Sequence, residues 1–192
     1  DIGRLSDLSY IRDAGDHIAI GAMTRHMDVE TSDVLKEHVP LLAHAAGHVG
    51  DPQVRHRGTI GGSIAHADPA AEYPAVALAL DAELEALSSR GSRTIPASEF
   101  FTGLWSTALE ADELLTGVRF PVWDGRCGFA VEEFARRHGD FAVAGAVVAV
   151  QLDADDRVSR CGIGLIGLGS TPERPAATEA EVIGRPVAEI DA

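Results

Sequence analysis

The chain is poor in the residues that staple a fold, hold a metal cluster, cross a bilayer or grip nucleic acid. Its 192 residues include two cysteines, Cys127 and Cys161, far apart and outside any CxxC pattern. That scarcity argues against an iron–sulfur cluster or structural zinc held by this chain alone. Two reduced, packed thiols in a cytoplasmic protein are expected, with a single disulfide as the alternative. Basic residues are also few: 16 Lys and Arg stand against 30 Asp and Glu, a net charge of −14. Nucleic acid is a poor partner for such a surface, because neutralising phosphates needs cationic side chains. The longest largely apolar stretch, residues 141–152, falls far short of the roughly 20 residues that span a membrane. No basic-then-apolar leader opens the chain, so no signal peptide is expected. The first residue is Asp1 rather than Met, which suggests a processed or excised piece. Catalytic signatures are missing as well: there is no GxSxG, no Walker loop and no acid–base pair. Glu132 and Glu133 are adjacent on an expected strand and point to opposite faces.

What is present is an ordinary globular composition, 45% apolar with a mean hydropathy of +0.03. At roughly 150 residues per domain, the length fits one domain or two small ones. Residues 18–21 read as a short strand. Pro40 opens a helical pattern through Leu41, Leu42, Ala45, Ala46 and Val49. The polar, glycine-bearing stretch 55–63 reads as a loop. Asp68-Pro69 reads as an N-cap and first helical position, with an alanine-rich helix to Leu80. Residues 84–87 and 93–95 flank a hairpin turn, and alternation over 114–120 marks a strand. Residues 121–125 punctuate the chain and divide it into segments 1–124 and 125–192. Beyond them, 129–134 reads as a strand, and 142–152 pairs with 158–168, although the first could instead be a buried helix. A short helix is expected over 179–183. The mixture is α+β, without regular βαβ alternation.

One segment carries chemistry. In Arg55-His56-Arg57-Gly58-Thr59-Ile60-Gly61-Gly62-Ser63, paired glycines can take positive φ and let backbone approach a ligand. Consecutive amides in such a turn can form an anion nest. Thr59 and Ser63 add hydroxyls, and Arg55 and Arg57 add positive charge, which suits a pyrophosphate. A polar Gly-Gly turn can equally be only a turn.

The longer run from Arg57 to Ala75, with Thr59-Ile60-Gly61-Gly62-Ser63 and Asp68-Pro69-Ala70-Ala71-Glu72-Tyr73-Pro74, resembles the second FAD-binding signature of the medium subunit of aerobic carbon monoxide dehydrogenase and related molybdenum hydroxylases. Relatives by this resemblance include xanthine dehydrogenase and the nicotine, isoquinoline and caffeine hydroxylases. The likeness continues through Ile20-Gly21-Ala22, Asp51-Pro52-Gln53, Phe100-Phe101-Thr102-Gly103, Glu113-Leu114-Leu115 and Arg136-Arg137-His138-Gly139-Asp140-Phe141, covering essentially the whole chain in order.

The resemblance implies the second subdomain of a PCMH-type (vanillyl-alcohol-oxidase-like) FAD-binding domain over 1–124. An incomplete, α+β CO dehydrogenase flavoprotein C-terminal-like subdomain would follow over 125–192. It assigns FAD contacts to Thr59, Ile60, Gly61, Gly62 and Ser63, cofactor hydroxyls to Glu72, and flavin contact to Leu115. Glu72 could instead be a first-turn helix carboxylate, and Leu115 core. Ser63 stands where the family often has Asn or Asp.

The family pattern starts about sixty residues earlier, with another glycine-rich loop on a small subdomain. Its Tyr-Arg signature after the last helical stretch does not appear here either. Half of a two-sided clamp predicts weak FAD binding. The implied partners are a molybdopterin-containing large subunit and a 2Fe–2S small subunit, with FAD relaying electrons to an external acceptor. A flavin-free interaction protein and a simple nucleotide or phosphate binder are the competing readings.

His44 and His48 have i, i+4 spacing but lack a zinc-protease glutamate, so they read as a helix flank. His66 borders the expected cofactor loop, and His138 belongs to a basic turn. Met23 and Met27 read as core residues at helical spacing. Trp105 and Trp123 read as core or interface aromatics, or as rings that stack on a ligand.

Overall fold

The computed structural model describes residues 2–190. Strands β1 (Ile11–Asp13) and β2 (His17–Gly21) form a first hairpin. A run of short helices follows: α1 (His26–Thr31), α2 (Asp33–His38), α3 (Pro40–Ala46), α4 (Pro52–Arg55), α5 (Ile60–His66) and α6 (Glu72–Ala79). Next come β3 (Glu83–Ser88), β4 (Gly91–Pro96), α7 (Ala97–Phe100), β5 (Phe101–Gly103), β6 (Ser106–Thr107) and β7 (Leu114–Pro121). The chain then forms β8 (Arg126–Phe134), β9 (Ala144–Leu152), β10 (Val158–Ile166) and α8 (Ala176–Val182).

Two sheets organise these elements. The first is five-stranded and antiparallel, in the order β1-β2-β7-β3-β4, and the second has the order β10-β9-β8. In β7, Leu115, Gly117, Val118 and Phe120 are buried, and the strand lies at the sheet's centre. Helices α3 and α6 pack on the second sheet and α5 on β7 of the first, and buried residues of both halves join one continuous core.

Helix α6 explains its own composition. All eight residues are buried, so it has no solvent face and no amphipathic stripe, as expected of a helix enclosed on every side. Its closest neighbour is β10, where a Cβ added at Gly162 would overlap the Ala79 carbonyl and one at Gly164 would overlap that of Ala75. Arg174 ties the same corner together. It donates to Glu179 at 2.9 Å and to the Leu78 carbonyl at 2.9 Å, and it pairs with Asp81.

Several expectations change. The stretch 55–63 is not a loop: α4 ends at Arg55, and α5 begins at Ile60. The alanine-rich helix starts at Glu72 rather than beside Pro69, because Asp68 caps a separate turn by accepting from the Ala70 amide at 2.9 Å. Residues 144–152 are strand, paired on both sides, and not a helix. Met23 precedes α1 and is only half-buried. Trp105 is 61% exposed, outside the core, whereas Trp123 is buried beneath the Arg160 guanidinium at 3.9 Å. Both cysteines are free thiols.

Candidate cofactor cleft

The expected loop is a capped helix start. Thr59 is extended, and its hydroxyl accepts the Gly62 amide at 3.1 Å. The Ile60 amide donates to Thr24 at 3.0 Å, the Gly61 amide to Ala22 at 2.9 Å, and the Ser63 amide to Thr59 at 3.0 Å. Of the five amides, only that of Thr59 lacks a partner among the described residues. The expected nest of free amides is therefore not formed, because the fold itself uses them. Neither Gly61 nor Gly62 has positive φ.

The two glycines serve different ends. A Cβ at Gly61 would sit 2.6 Å from the Ala22 carbonyl oxygen, so this glycine lets α5 press onto the chain leaving β2. Gly62 is exposed, and a Cβ there would meet only Thr59 Oγ1, at 2.9 Å. It leaves open floor in a cleft of about 940 Å3, near the upper end of small-molecule sites, ~300–1,000 Å3.

The cleft lining is of two chemical kinds. Arg4, Arg25 and Arg57 line it together with the Thr59 and Ser63 hydroxyls. Met23, Leu109, Leu114 and Leu115 supply the apolar lining. Among the described residues its one carboxylate, Glu113, is bound by Arg93 at 2.7 and 2.8 Å. That pairing holds Glu113 well below the ordinary carboxylate range. On a chain of net charge −14, this is a locally cationic site that can receive an anion on its guanidinium and hydroxyl groups and a flat apolar group on its leucines.

The structure sorts the expected site residues. Thr59, Gly61, Gly62, Ser63 and Leu115 meet in the cleft. Ile60 is fully buried and belongs to the core. Glu72 lines a separate cavity of about 240 Å3 behind Ser63. Arg55 does not reach the cleft: it is buried, with Glu30 at 2.7 Å and the Gly50 carbonyl at 3.0 Å. Its charge supports the fold.

The small cavity is bounded by His26, Ser63, His66, Glu72, Asp140 and Phe141, among others. Glu72 is 4% exposed, and its carboxyl group has no side-chain partner among the described residues. Desolvation, with the carboxylates of Glu133 and Asp68 nearby, raises it to about 7. His26, equally buried, is lowered to about 4 by desolvation and by Arg25 and Arg55. Sequence reasoning missed His26, Arg25 and Arg4, since no motif links them to α5. The proximity of 24–26 to 58–60, a short antiparallel bridge, brings in Arg25 and His26, whereas Arg4 comes from the N-terminal segment. His66 lines the small cavity and stacks on Trp105 at 6.2 Å. His138 is exposed in the β8–β9 connection. His44 and His48 lie 5.5 Å apart, ring to ring.

Two family models match the chain. Residues 1–123 match the FAD binding domain in molybdopterin dehydrogenase, and residues 129–190 match the CO dehydrogenase flavoprotein C-terminal domain. The chain is 45% identical over 183 residues to the 6-hydroxypseudooxynicotine dehydrogenase complex subunit alpha of Paenarthrobacter nicotinovorans, covering 95% of this chain and 61% of that protein. It is 42% identical to caffeine dehydrogenase subunit beta of Pseudomonas sp., covering 97% of this chain and 63% of the relative. Among solved structures, carbon monoxide dehydrogenase from Hydrogenophaga pseudoflava superposes with a TM-score of 0.94 at 39% identity, over 98% of this chain and 66% of that one. The chain thus spans under two thirds of the length of these curated relatives.

Proposed function

The chain belongs to the family of FAD-binding domains of molybdopterin dehydrogenases, and from that premise we propose that its cleft holds FAD as part of an oxidoreductase's flavoprotein subunit. The observation that carries this reading is the joining of a glycine floor, cationic side chains and apolar side chains in one cleft. The donor set fits the group. Arg57 and the hydroxyls of Thr59 and Ser63 would hold the pyrophosphate, with Gly61 and Gly62 keeping the floor low. Ile60 anchors that floor from the core side. Leu115 would lie against the flavin with Leu114 and Met23. Glu72, behind Ser63, would accept hydrogen bonds from cofactor hydroxyls.

FAD supplies the electron-transfer chemistry, which no side chain here provides. The residues of the chain would bind and orient it, and the apolar side chains would keep water from the ring. The same reading divides the chain into a FAD-binding unit over 1–124 and a CO dehydrogenase flavoprotein C-terminal-like unit over 125–192. It gives the parent protein a molybdopterin-containing large subunit and a 2Fe–2S small subunit as partners. Electrons would pass from the iron–sulfur clusters through FAD to an external acceptor.

The test is the visible absorption and fluorescence of FAD titrated with the purified protein. Binding should perturb both signals. Gly62→Val, which fills the open floor without touching the core, should weaken binding about tenfold or more, equivalent to roughly 1.4 kcal/mol. Absence of any FAD signal with the parent sequence would sink the reading, and binding of ADP alone would favour a nucleotide module.

A further inference from the structure

Part of the apolar lining of the cleft stands on a segment with no regular structure of its own. Residues 108–113 join β6 to β7, and Leu109, Glu113, Leu114 and Leu115 line the cleft from this turn and the start of β7. A connection without a hydrogen-bonded ladder keeps one shape only if other groups anchor it. The Ala108 amide is held by the Phe100 carbonyl at 2.8 Å. The other anchor is a single side chain of the edge strand β4. Arg93 Nε donates to Glu113 Oε1 at 2.7 Å, and one terminal nitrogen donates to Glu113 Oε2 and to the Ala108 carbonyl, both at 2.8 Å. Glu113 Oε2 in turn accepts the Glu110 amide at 2.8 Å. One guanidinium thus grips both ends of the turn, and its carboxylate partner grips the middle.

Sheet register explains how Arg93 reaches this place. Arg93 pairs with Ala86 of β3, and Ala86 pairs on its other side with Leu115. Directly opposed residues share a face, so the three form one cross-strand row with only a methyl between arginine and leucine. Glu113 precedes Leu115 by two residues, the spacing that keeps extended side chains on one face. The pair is also unlike its neighbour. Arg90 reaches Glu110 at 2.7 Å and Asp112 at 3.0 Å, but these side chains are all more than half exposed. Such pairs contribute little. The Glu113 side chain is only 5% exposed, and a forked bond to an enclosed carboxylate fixes geometry.

We propose that Arg93 is a positioning residue of the cofactor cleft: its fork on Glu113 and its bond to Ala108 fix the 108–113 turn, and so set Leu109 and Leu115 where the flavin ring would lie. This rests on the FAD reading above. Arg93 acts through the turn and touches no cofactor atom itself.

The experiment titrates FAD with the purified parent protein, Arg93→Gln, Arg93→Lys, the double variant Arg93→Gln/Glu113→Gln, and Arg90→Gln. Flavin fluorescence gives affinity, the shape of the visible band reports the ring's surroundings, and circular dichroism checks folding. Arg93→Gln should weaken FAD binding about tenfold, and the bound flavin should lose the vibronic shoulder of an apolar setting. Lys restores the charge but not the fork, so both defects should persist. The double variant has no freed carboxylate and should stay as weak as Arg93→Gln. Arg90→Gln should match the parent. Recovery in the double variant would overturn the proposal, because the loss would then come from repulsion by Glu113. Parent affinity and spectrum in folded Arg93→Gln would also overturn it while leaving the FAD reading standing, as would an equal loss in Arg90→Gln. A parent protein that leaves FAD unperturbed would overturn both. If Arg93→Gln fails to fold, parent behaviour in Arg93→Lys counts against the proposal in its place.

Discussion

The large cleft and the small cavity share the wall of His26 and Ser63, yet they handle charge in opposite ways. The cleft gathers three guanidinium groups, and among the described residues its one carboxylate is already paired to Arg93. In the small cavity, burial acts on two of the lining groups, raising Glu72 to about 7 and lowering His26 to about 4, while His66 and Asp140 are exposed. Exposure makes cationic recognition affordable in the first, and desolvation enforces neutrality in the second. One should therefore respond to salt, and the other to pH.

The largest expected effect tests how rigidly the cleft floor is built. Gly61→Val should destabilise the fold by roughly 3 kcal/mol or more, seen as a lowered urea midpoint. Gly62→Val, one residue on, meets only the Thr59 hydroxyl and should lower that midpoint far less. Equal effects at the two positions would erase the distinction between floor and support.

Next comes the pH response of the small cavity. Glu72 has a folded pKa raised from 4.5 to about 7. Its contribution is full below the unfolded value and is lost as pH rises towards 7. The displacement corresponds to roughly 3 kcal/mol at the upper limit. His26 is displaced from 6.5 to about 4, so it costs stability as pH falls from 6.5 towards 4. Between about 4.5 and 6.5 the two slopes oppose each other, and the parent protein should show little net dependence from this pair. Glu72→Gln should remove one side, giving a variant that loses stability on acidification below 6.5 and gains it relative to the parent at pH 8. Denaturant midpoints across pH check this, and a Glu72→Gln curve parallel to the parent's would refute it.

The smallest effect concerns the cleft's charge. Arg57→Ala should weaken FAD binding about tenfold at low salt. The deficit should shrink as ionic strength rises and the guanidinium is screened. A deficit independent of salt would mean that Arg57 acts through packing instead.

Much of the architecture was legible because it follows period and punctuation. The alternation of 114–120, Pro40 at a helix start and the hairpin around Ser89-Arg90 are local signals, and the structure keeps them. The family was legible from the run 57–75 together with its scattered companions. The role of the glycines was not. Gly-Gly suggests positive φ from local chemistry, whereas the fold uses Gly61 for contact with Ala22, far away in sequence. Arg55 misled for the same reason, since its partner Glu30 lies in α1. His26 was silent because its meaning comes from the bridge between 25 and 59 and from two cavities, neither of which leaves a spacing in the sequence.

The contact of β10 with α6 has a consequence for how the molecule can change over generations. Gly162 and Gly164 bring the strand directly onto the carbonyls of Ala79 and Ala75, so a methyl added on either would force the strand or the helix to shift. The helix beneath begins with Glu72, and a displacement of the sheet would be transmitted to the small cavity's acid. The two matched halves of the chain are therefore coupled in their tolerance to substitution. Variation in the second sheet is filtered by the geometry of a site to which that sheet contributes few side chains, and the seam between the halves behaves as a weld rather than a joint.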